Sequence, residues 1–260
     1  AAVLGGPPLN LRLKDYVSPA APDILIAGCG TGQQSLQCAG CFADARILAV
    51  DLSLASLAFA SRMTSGLGIA NIEYAQADIM ALDTLDRRFD LIECVGVLHH
   101  LADPEAGWRI LAGLLRPGGV MKIGLYSEAA RRDVVAGRAL IAERGYESSP
   151  DGIRHCRQDI LTLARGGNAE MARLTQRNSF FTTSECRDLL FHVQEQRFTL
   201  PRIEAALAAL KLDFLGFEFA GPAPRSPAPL ADWHRFETEH PQTFAGMYEF
   251  WVQKSYTKER

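Results

Sequence analysis

The stretch of sequence that decides the fold runs from Ile24 to Gly32 and reads ILIAGCGTG. Its leading apolar residues are typical of a strand that is buried on both faces of a parallel sheet. Gly28, Gly30 and Gly32 follow at the point where such a strand turns into a helix. Because glycine lacks a Cβ atom, it permits a tight turn and a close approach of the backbone to a ligand. The stretch therefore predicts a strand, a ligand-binding loop and a helix in succession.

Outward from this stretch, strand-like runs alternate with helical segments between Asp23 and Tyr126. The runs are ILIAGC, RILAVDL, IEYAQAD, FDLIECVGV and GGVMKIGLY, and the segments between them include QSLQCAGCFA, SLASLAFASRMTSGL and PEAGWRILAGLL. This alternation predicts an α/β fold whose parallel sheet is covered by helices on both faces. The third run alternates in polarity, which predicts an edge strand. Ser53 is a suitable N-cap for the second helix.

Beyond Tyr126 the composition changes, and Arg-rich segments that favour helices fill residues 128–198. We expect them to form a helical cap inserted after strand five, because long insertions in compact domains are usually functional. Residues 199–260 then return to the sheet through two more strand-like runs, LDFLGFEFA and MYEFWVQK. The prediction is one domain with a leader (1–22), a cofactor-binding core (23–127), the cap and the return segment. Its sheet has seven mostly parallel strands.

Two carboxylates follow the second and third predicted strands. Asp51 stands where a carboxylate can accept hydrogen bonds from both hydroxyls of a ribose, and Asp78 ends the third strand. A nicotinamide dehydrogenase would use the same kind of loop and acid, but it also requires a small residue where this sequence has Gln33. The phosphate-binding pattern GxxxxGK[ST] does not occur, which argues against an ATPase loop.

Composition limits the partners. With 27 basic and 30 acidic residues among 260, the formal net charge is −3, which gives no overall electrostatic reason to bind nucleic acid. No apolar run is long enough to span a bilayer, so we expect a cytoplasmic protein without a membrane partner. Cys38 and Cys41 form a single CxxC, which supplies too few ligands for structural zinc, and we expect no metal.

Taken together, AGCGTG, AVDLS, AQADI, FDLIECVGVLHHL and LLRPGGVMKIG resemble the successive motifs of class I S-adenosylmethionine-dependent methyltransferases. The resemblance covers about Ile24 to Leu125 and implies a Rossmann-like sheet that binds S-adenosyl-L-methionine. It also implies the cofactor contacts: Gly28, Cys29, Gly30 and Gly32 beneath the methionine and ribose, Asp51 at the ribose hydroxyls, Leu52, Asp78 and Ile79 around adenine, and Glu93, Cys94 and Val95 beside the methionine and sulfonium.

The chain departs from the family in one place. The family often has an acidic residue two positions before the first motif glycine, near the methionine amino group, and here that residue is Ile26. The second half of the chain resembles, more loosely, methyltransferase domains at the C-terminus of bacterial tetratricopeptide-repeat proteins. Together with the missing initiator Met, this resemblance implies a longer protein with an N-terminal repeat domain.

The methyl acceptor, which the sequence does not identify, is a small molecule or a protein side chain with a reactive N or O atom. Methyl transfer from a sulfonium is an in-line displacement, so alignment of the acceptor should be the main task of the enzyme. The candidates for a general base are His99, His100, His192 and Glu195.

Polar and aromatic side chains in the second half are candidates for acceptor recognition. In SECRDLLFHVQEQRFTL, helical spacing predicts that Asp188, His192 and Glu195 share one face, and Arg187 and Arg197 lie in the same stretch. The alternative is a solvated face with salt bridges. Four aromatic residues belong either to the acceptor pocket or to the core, namely Tyr126, Phe180, Phe181 and Trp233. Two further functions stay open, a regulatory domain that binds the cofactor without catalysis and the dehydrogenase.

Overall fold

The computed structural model describes residues 20–191, 195–218, 224, 228–244 and 246–255. Its strands are β1 (Asp23–Ala27), β2 (Arg46–Asp51), β3 (Ile72–Gln76), β4 (Phe89–Val95), β5 (Leu115–Tyr126), β6 (Leu212–Phe217) and β7 (Met247–Lys254). They form a seven-stranded sheet in the order β3-β2-β1-β4-β5-β7-β6. Strands β1 to β5 pair in parallel, whereas β7 pairs antiparallel with β5 and β6. The predicted mostly parallel sheet is confirmed, and β3 is an edge strand.

The helices are, in chain order, α1 (Gln33–Cys41), α2 (Leu54–Gly66), α3 (Pro104–Leu114), α4 (Arg132–Arg144), α5 (Pro150–Arg165), α6 (Ala169–Leu174), α7 (Thr183–Phe191), α8 (Leu200–Leu210) and α9 (Leu230–Glu239). The Ser53 hydroxyl accepts a hydrogen bond from the Ser56 N–H, which confirms the predicted N-cap of α2. Among the described residues, no helix has both the length and the apolar composition needed to cross a membrane.

Side chains of successive residues in β1 enter two different cores, because strand side chains alternate between the faces of a sheet. Leu25 packs in the same cluster as Trp108 of α3, a cluster that also contains residues of α8 and α9. Ile26 packs in a second cluster with Cys38 of α1 and Leu57 of α2. Both faces of the sheet are therefore covered by helices, as the apolar run predicts.

Helices α4 to α7 form the cap that follows β5 and have an apolar core of their own. That core contains Val134, Leu140, Ile153, Cys156, Ile160, Met171, Leu174, Phe180, Cys186, Leu189 and Leu190. A buried ion pair supports it, in which Arg177 Nε donates to Asp133 at 2.6 Å and Arg177 Nη2 donates to the Ala130 carbonyl at 2.9 Å. The insertion is thus a packed helical unit.

The chain leaves the cap through residues 195–198, which cross the carboxyl edge of the sheet. The Gln196 N–H donates to the His99 carbonyl at 2.8 Å, beyond the end of β4. The Phe198 N–H donates to the carbonyl of Tyr126, the last residue of β5, also at 2.8 Å. These backbone bonds hold the exit of the cap against the ends of the two central strands.

Candidate active site

The sheet order reverses between β1 and β4, and in open α/β sheets a ligand binds at this switch point, outside the carboxyl ends of the strands. The glycine loop occupies that position after β1. Gly28, Gly30 and Gly32 all have positive φ angles, of 80°, 52° and 90°. A Cβ atom at Gly28 would lie 2.2 Å from Cγ2 of Val97, whereas a Cβ atom at Gly30 would meet no described atom within 4 Å. The loop therefore packs closely at Gly28 and faces open space at Gly30.

This contrast predicts different effects for two alanine substitutions. We expect Gly28→Ala to lower the free energy of unfolding by roughly 2–4 kcal/mol, because it combines a left-handed backbone with a clash against Val97. Gly30→Ala should cost only about 1 kcal/mol of stability, since only the backbone is strained, but should weaken ligand binding. Urea denaturation measures both. Because Val97→Ala removes the clashing methyl groups, the double variant with Gly28→Ala should recover part of the loss, and additive effects of the two substitutions would contradict the clash.

Asp51, at the end of β2, is oriented by the backbone around it. Its Oδ2 accepts a hydrogen bond from the Gly30 N–H at 2.8 Å, and its Oδ1 accepts one from the Ser53 N–H at 2.8 Å. The first bond ties the carboxylate directly to the glycine loop. Because each carboxylate oxygen has a second lone pair, both oxygens can still accept from a pair of ligand hydroxyls.

The residues assigned to adenine lie at the ends of β2 and β3. Asp78 is exposed, and its Oδ1 accepts from the Met80 N–H at 2.9 Å, so it caps the short 3₁₀ turn that follows. Leu52 is 63% exposed, which leaves an apolar side chain available to cover a ring. The side chain of Ile79 is buried in the core beside α3, so only its backbone remains for a ligand contact.

We predict that Asp78→Ala weakens binding through the adenine end of the ligand. Affinities for adenosine and for S-adenosylhomocysteine should fall by a similar factor, of about tenfold, because the same charge-assisted hydrogen bond is lost from both. Titration calorimetry with each compound measures this. Asp78→Asn is the matched control, since its amide oxygen can still cap the turn at Met80 while its amino group repels that of adenine. A loss confined to S-adenosylhomocysteine would rule out the adenine contact.

The residues assigned to the methionine end differ in accessibility. Cys94 lies fully inside the core, where burial raises the pKa of its thiol to about 12. Glu93 is also buried, and burial raises the pKa of its carboxyl to about 7 although the nearby Lys122 lowers it. In the β1–β4 ladder Glu93 pairs with Ile26, the position at which the family often has an acid. Val95 ends β4 and is partly exposed.

Cys29 lies inside the glycine loop and is nearly as well buried. Burial raises the pKa of its thiol to about 12, and the negative charge of Asp51 adds to the shift. Neither Cys29 nor Cys94 is therefore a thiolate near neutral pH. In the described part of the chain, no group of three or more His, Cys, Asp or Glu residues is arranged to hold a metal ion.

His99 and Tyr126 form a stack at the carboxyl edge. The rings are 3.6 Å apart between centroids and 23° from parallel, and the His99 side chain is completely buried. Cζ of Arg131 lies 3.6 Å from the centre of the Tyr126 ring, so it occupies the opposite face, because one face cannot hold both groups at that distance. His100 packs edge-on to His99 at 4.4 Å and is only partly buried. Of the two histidines, His100 is therefore the more accessible.

The prediction that Asp188, His192 and Glu195 share one face of a helix is wrong for Glu195. Helix α7 ends at Phe191, and Glu195 lies in the exit segment, where backbone bonds to the ends of β4 and β5 compete with helix formation. Asp188 is exposed on α7, and His192 lies outside the described residues.

Glu195 belongs to an ion-pair cluster instead. Its side chain is 1% exposed, and its two oxygens accept from Nε and Nη2 of Arg131 at 3.1 and 2.7 Å. Nη2 of Arg138 lies 3.3 Å from the same carboxylate. The oxygens of Glu195 are thus engaged by two guanidinium groups, and this geometry favours a positioning role for Glu195.

The remaining candidates for acceptor recognition lie in the core or on the surface. Phe180 and Trp233 are buried in apolar clusters, Phe181 is exposed, and Arg187 donates to the Ser148 carbonyl on the surface. Sequence reasoning missed Val97, Arg131 and Arg138. The spacing of seven residues between Arg131 and Arg138, which places two helical residues on one face, was the available signal, but many other arginines in the segment obscured it.

Comparison with known proteins identifies the same part of the chain. Residues 24–119 match the family model of the methyltransferase domain. An uncharacterized protein of Synechococcus is 34% identical over 202 residues, which cover 75% of this chain and 48% of that protein. A ubiquinone biosynthesis O-methyltransferase of Azotobacter vinelandii is 31% identical over 114 residues, which cover 43% of this chain and 48% of the relative. The chain thus spans about half the length of these curated relatives.

A solved structure shares the fold. PKMT2 from Rickettsia typhi in complex with AdoHcy superimposes with a TM-score of 0.72 at 18% sequence identity, over 93% of this chain and 50% of that one. The glycine loop, Asp51 and Asp78 all fall within the segment that matches the family model. Residues 24–119 are therefore similar to methyltransferase domains, and the fold is one that an AdoHcy-binding protein shares.

Proposed function

We propose that this chain transfers a methyl group from S-adenosyl-L-methionine to an N or O atom of an acceptor bound beneath the cap. The observation that carries the proposal is the hydrogen bond from the Gly30 N–H to Asp51. It holds the glycine loop, which is open to a ligand at Gly30, beside a carboxylate that can accept further hydrogen bonds. The exposed Leu52 adds an apolar surface beside it. These groups fit the ribose and adenine of that cofactor.

The cofactor supplies an electrophilic methyl group on a sulfonium, and the protein has to align the acceptor with it and exclude water. The cap and the exit segment 195–198 lie over the carboxyl edge, where they can do both. Because His100 is the more accessible histidine, we assign to it the removal of the acceptor proton, with His192 as the alternative. His99, stacked on Tyr126, holds the floor of the acceptor site.

Glu93 is our candidate for contact with the methionine amino group. Its carboxylate is on the strand that pairs with β1 at Ile26, so the sheet supplies an acid one strand away from the usual position. Lys122 pairs with Glu218 at 2.6 Å, and its charge also favours the ionised form of Glu93. Above about pH 7 Glu93 can meet an ammonium group as a carboxylate, and a bound ammonium group would itself favour the ionised form.

The test is transfer of a radiolabelled methyl group from S-adenosylmethionine to components of a cell lysate. We expect wild-type protein to label a component that the Asp51→Ala variant, used at the same concentration, does not label. Size fractionation then shows whether the acceptor is a protein or a small molecule. A wild-type protein that binds the cofactor but labels nothing above the variant would contradict catalysis.

A further inference from the structure

Beneath the cap, two arginine side chains contact a single glutamate, and a third arginine lies near them in the exit segment. Arg131 ends the short 3₁₀ turn that precedes α4, and Arg138 lies in the middle of α4. Arg197 lies in the exit segment. The side chain of Arg131 is 4% exposed and that of Arg138 is 21% exposed, while Glu195 is 1% exposed. Arg131 and Arg138 thus share one buried carboxylate, and the charge of Arg197 acts on Arg138 from nearby.

The carboxylate of Glu195 does not satisfy all three arginines. Both of its oxygens accept from Arg131, whereas Nε and Nη2 of Arg138 are buried and make no hydrogen bond within the described residues. Nε of Arg197 is likewise buried and makes no hydrogen bond within the described residues. An arginine does not lose its proton in a protein, so buried guanidinium N–H donors that lack an acceptor are unfavourable until an anion binds.

The electrostatics of the cluster lead to the same conclusion. Burial lowers the pKa of the Arg138 guanidinium although Glu195 raises it, and the charges of Arg131 and Arg197 add to the lowering. Asp188 is the other acid whose charge raises the pKa of Tyr126, but it is exposed, so solvent screens its charge. Among Arg131, Arg138, Arg197 and Glu195, positive charge therefore exceeds negative charge.

The position of the cluster relates it to the acceptor. Arg131 packs on the ring of Tyr126, the last residue of β5, whose other face carries His99. On its other side, Arg197 lines a cavity of about 460 Å³ between the start of α4 and α9. An anion bound to Arg138 and Arg197 would thus lie close to the carboxyl edge of the sheet, and the part of the molecule near Arg197 would face this cavity.

We propose that the methyl acceptor is an oxyanion, of the carboxylate or phosphate class, whose charged group binds to Arg138 and Arg197 while Glu195 holds Arg131 in place. Guanidinium groups suit this task, since their fork of N–H donors matches the two oxygens of a carboxylate or phosphate. The inference rests on the proposed methyl transfer for its substrate, but the binding of an oxyanion can be measured without it.

The experiment is titration calorimetry of the full chain with benzoate, phenyl phosphate and the uncharged benzamide, with and without S-adenosylhomocysteine. We expect one of the two anions to bind wild-type protein about tenfold or more tightly than benzamide. Arg138→Gln and Arg197→Gln should each lower the affinity for that anion by about fivefold or more. The matched control is Arg154→Gln, because Arg154 is an exposed cap arginine whose one ion pair among the described residues is with Asp151, and it should change the affinity by less than about twofold.

Equal binding of the three probes would overturn the inference, and so would unchanged anion binding in both Arg138→Gln and Arg197→Gln. If Arg138→Gln does not fold, Arg197→Gln still tests the site, because Arg197 makes no ion pair with Glu195 in the described structure. Anion binding without methyl transfer would refute the proposed function alone, whereas methyl transfer without anion selectivity would refute the oxyanion site alone.

Discussion

We expect Glu195→Ala to lower the free energy of unfolding by about 3–5 kcal/mol, the range for breaking a buried ion pair from one side. The substitution removes the carboxylate that accepts from Arg131 through two hydrogen bonds and that lies 3.3 Å from Arg138. Both guanidinium groups would then be buried without a counter-charge. Urea denaturation, followed by circular dichroism, measures the change.

Two variants act as controls for this prediction. Glu143→Ala removes an exposed carboxylate from α4, the same cap helix, and should change stability by no more than about 0.5 kcal/mol. Glu195→Gln keeps an acceptor oxygen and should cost less than the alanine variant. A loss below about 1 kcal/mol in Glu195→Ala would show that the arginines have another counter-charge, and it would favour Glu195 as a general base after all.

The second large effect is expected at Asp51. Asp51→Ala should lower the affinity for S-adenosylmethionine by at least about tenfold, because charge-assisted hydrogen bonds to the ribose are lost. The Gly30 N–H also loses its acceptor, so the glycine loop is no longer held against the end of β2. Titration calorimetry with S-adenosylmethionine measures the affinity directly.

Asp44→Ala is the matched control, since Asp44 is an exposed acid in the loop that enters β2 from the opposite edge of the sheet. It should leave the affinity for S-adenosylmethionine unchanged. Circular dichroism confirms that both variants are folded. If the Asp51→Ala protein is folded and binds the cofactor like wild type, Asp51 is not part of the cofactor site.

Much of the fold and of the cofactor site was predictable because its signals are local. The run ILIA specifies a strand buried on both faces, and β1 is indeed buried throughout. The glycines after it have positive φ angles, which a strand-to-helix turn demands of them. Asp51 and Asp78 could be assigned because parallel strands bring their carboxyl ends to the same edge.

The acceptor side was harder to predict because its groups meet only through long-range packing. Helical periodicity extends α7 through Glu195, but the exit segment instead makes backbone bonds to His99 and Tyr126. Those partners lie far from it in sequence, and no window of local pattern contains them. The same contacts turn His99 from a candidate base into a buried ring stacked on Tyr126.

By itself, the sequence determined the order of strands and helices, the glycine loop and the two carboxylates that follow β2 and β3. Each of these depends on residues that are neighbours along the chain, where propensity and periodicity act. Only the tertiary structure decided that Val97 closes over Gly28, and that Arg131 binds Glu195 across 64 positions of sequence. The physical reason is that burial and charge compensation depend on which segments fold against each other, and the cap brings Arg131 and Arg138 to one carboxylate only once it is packed.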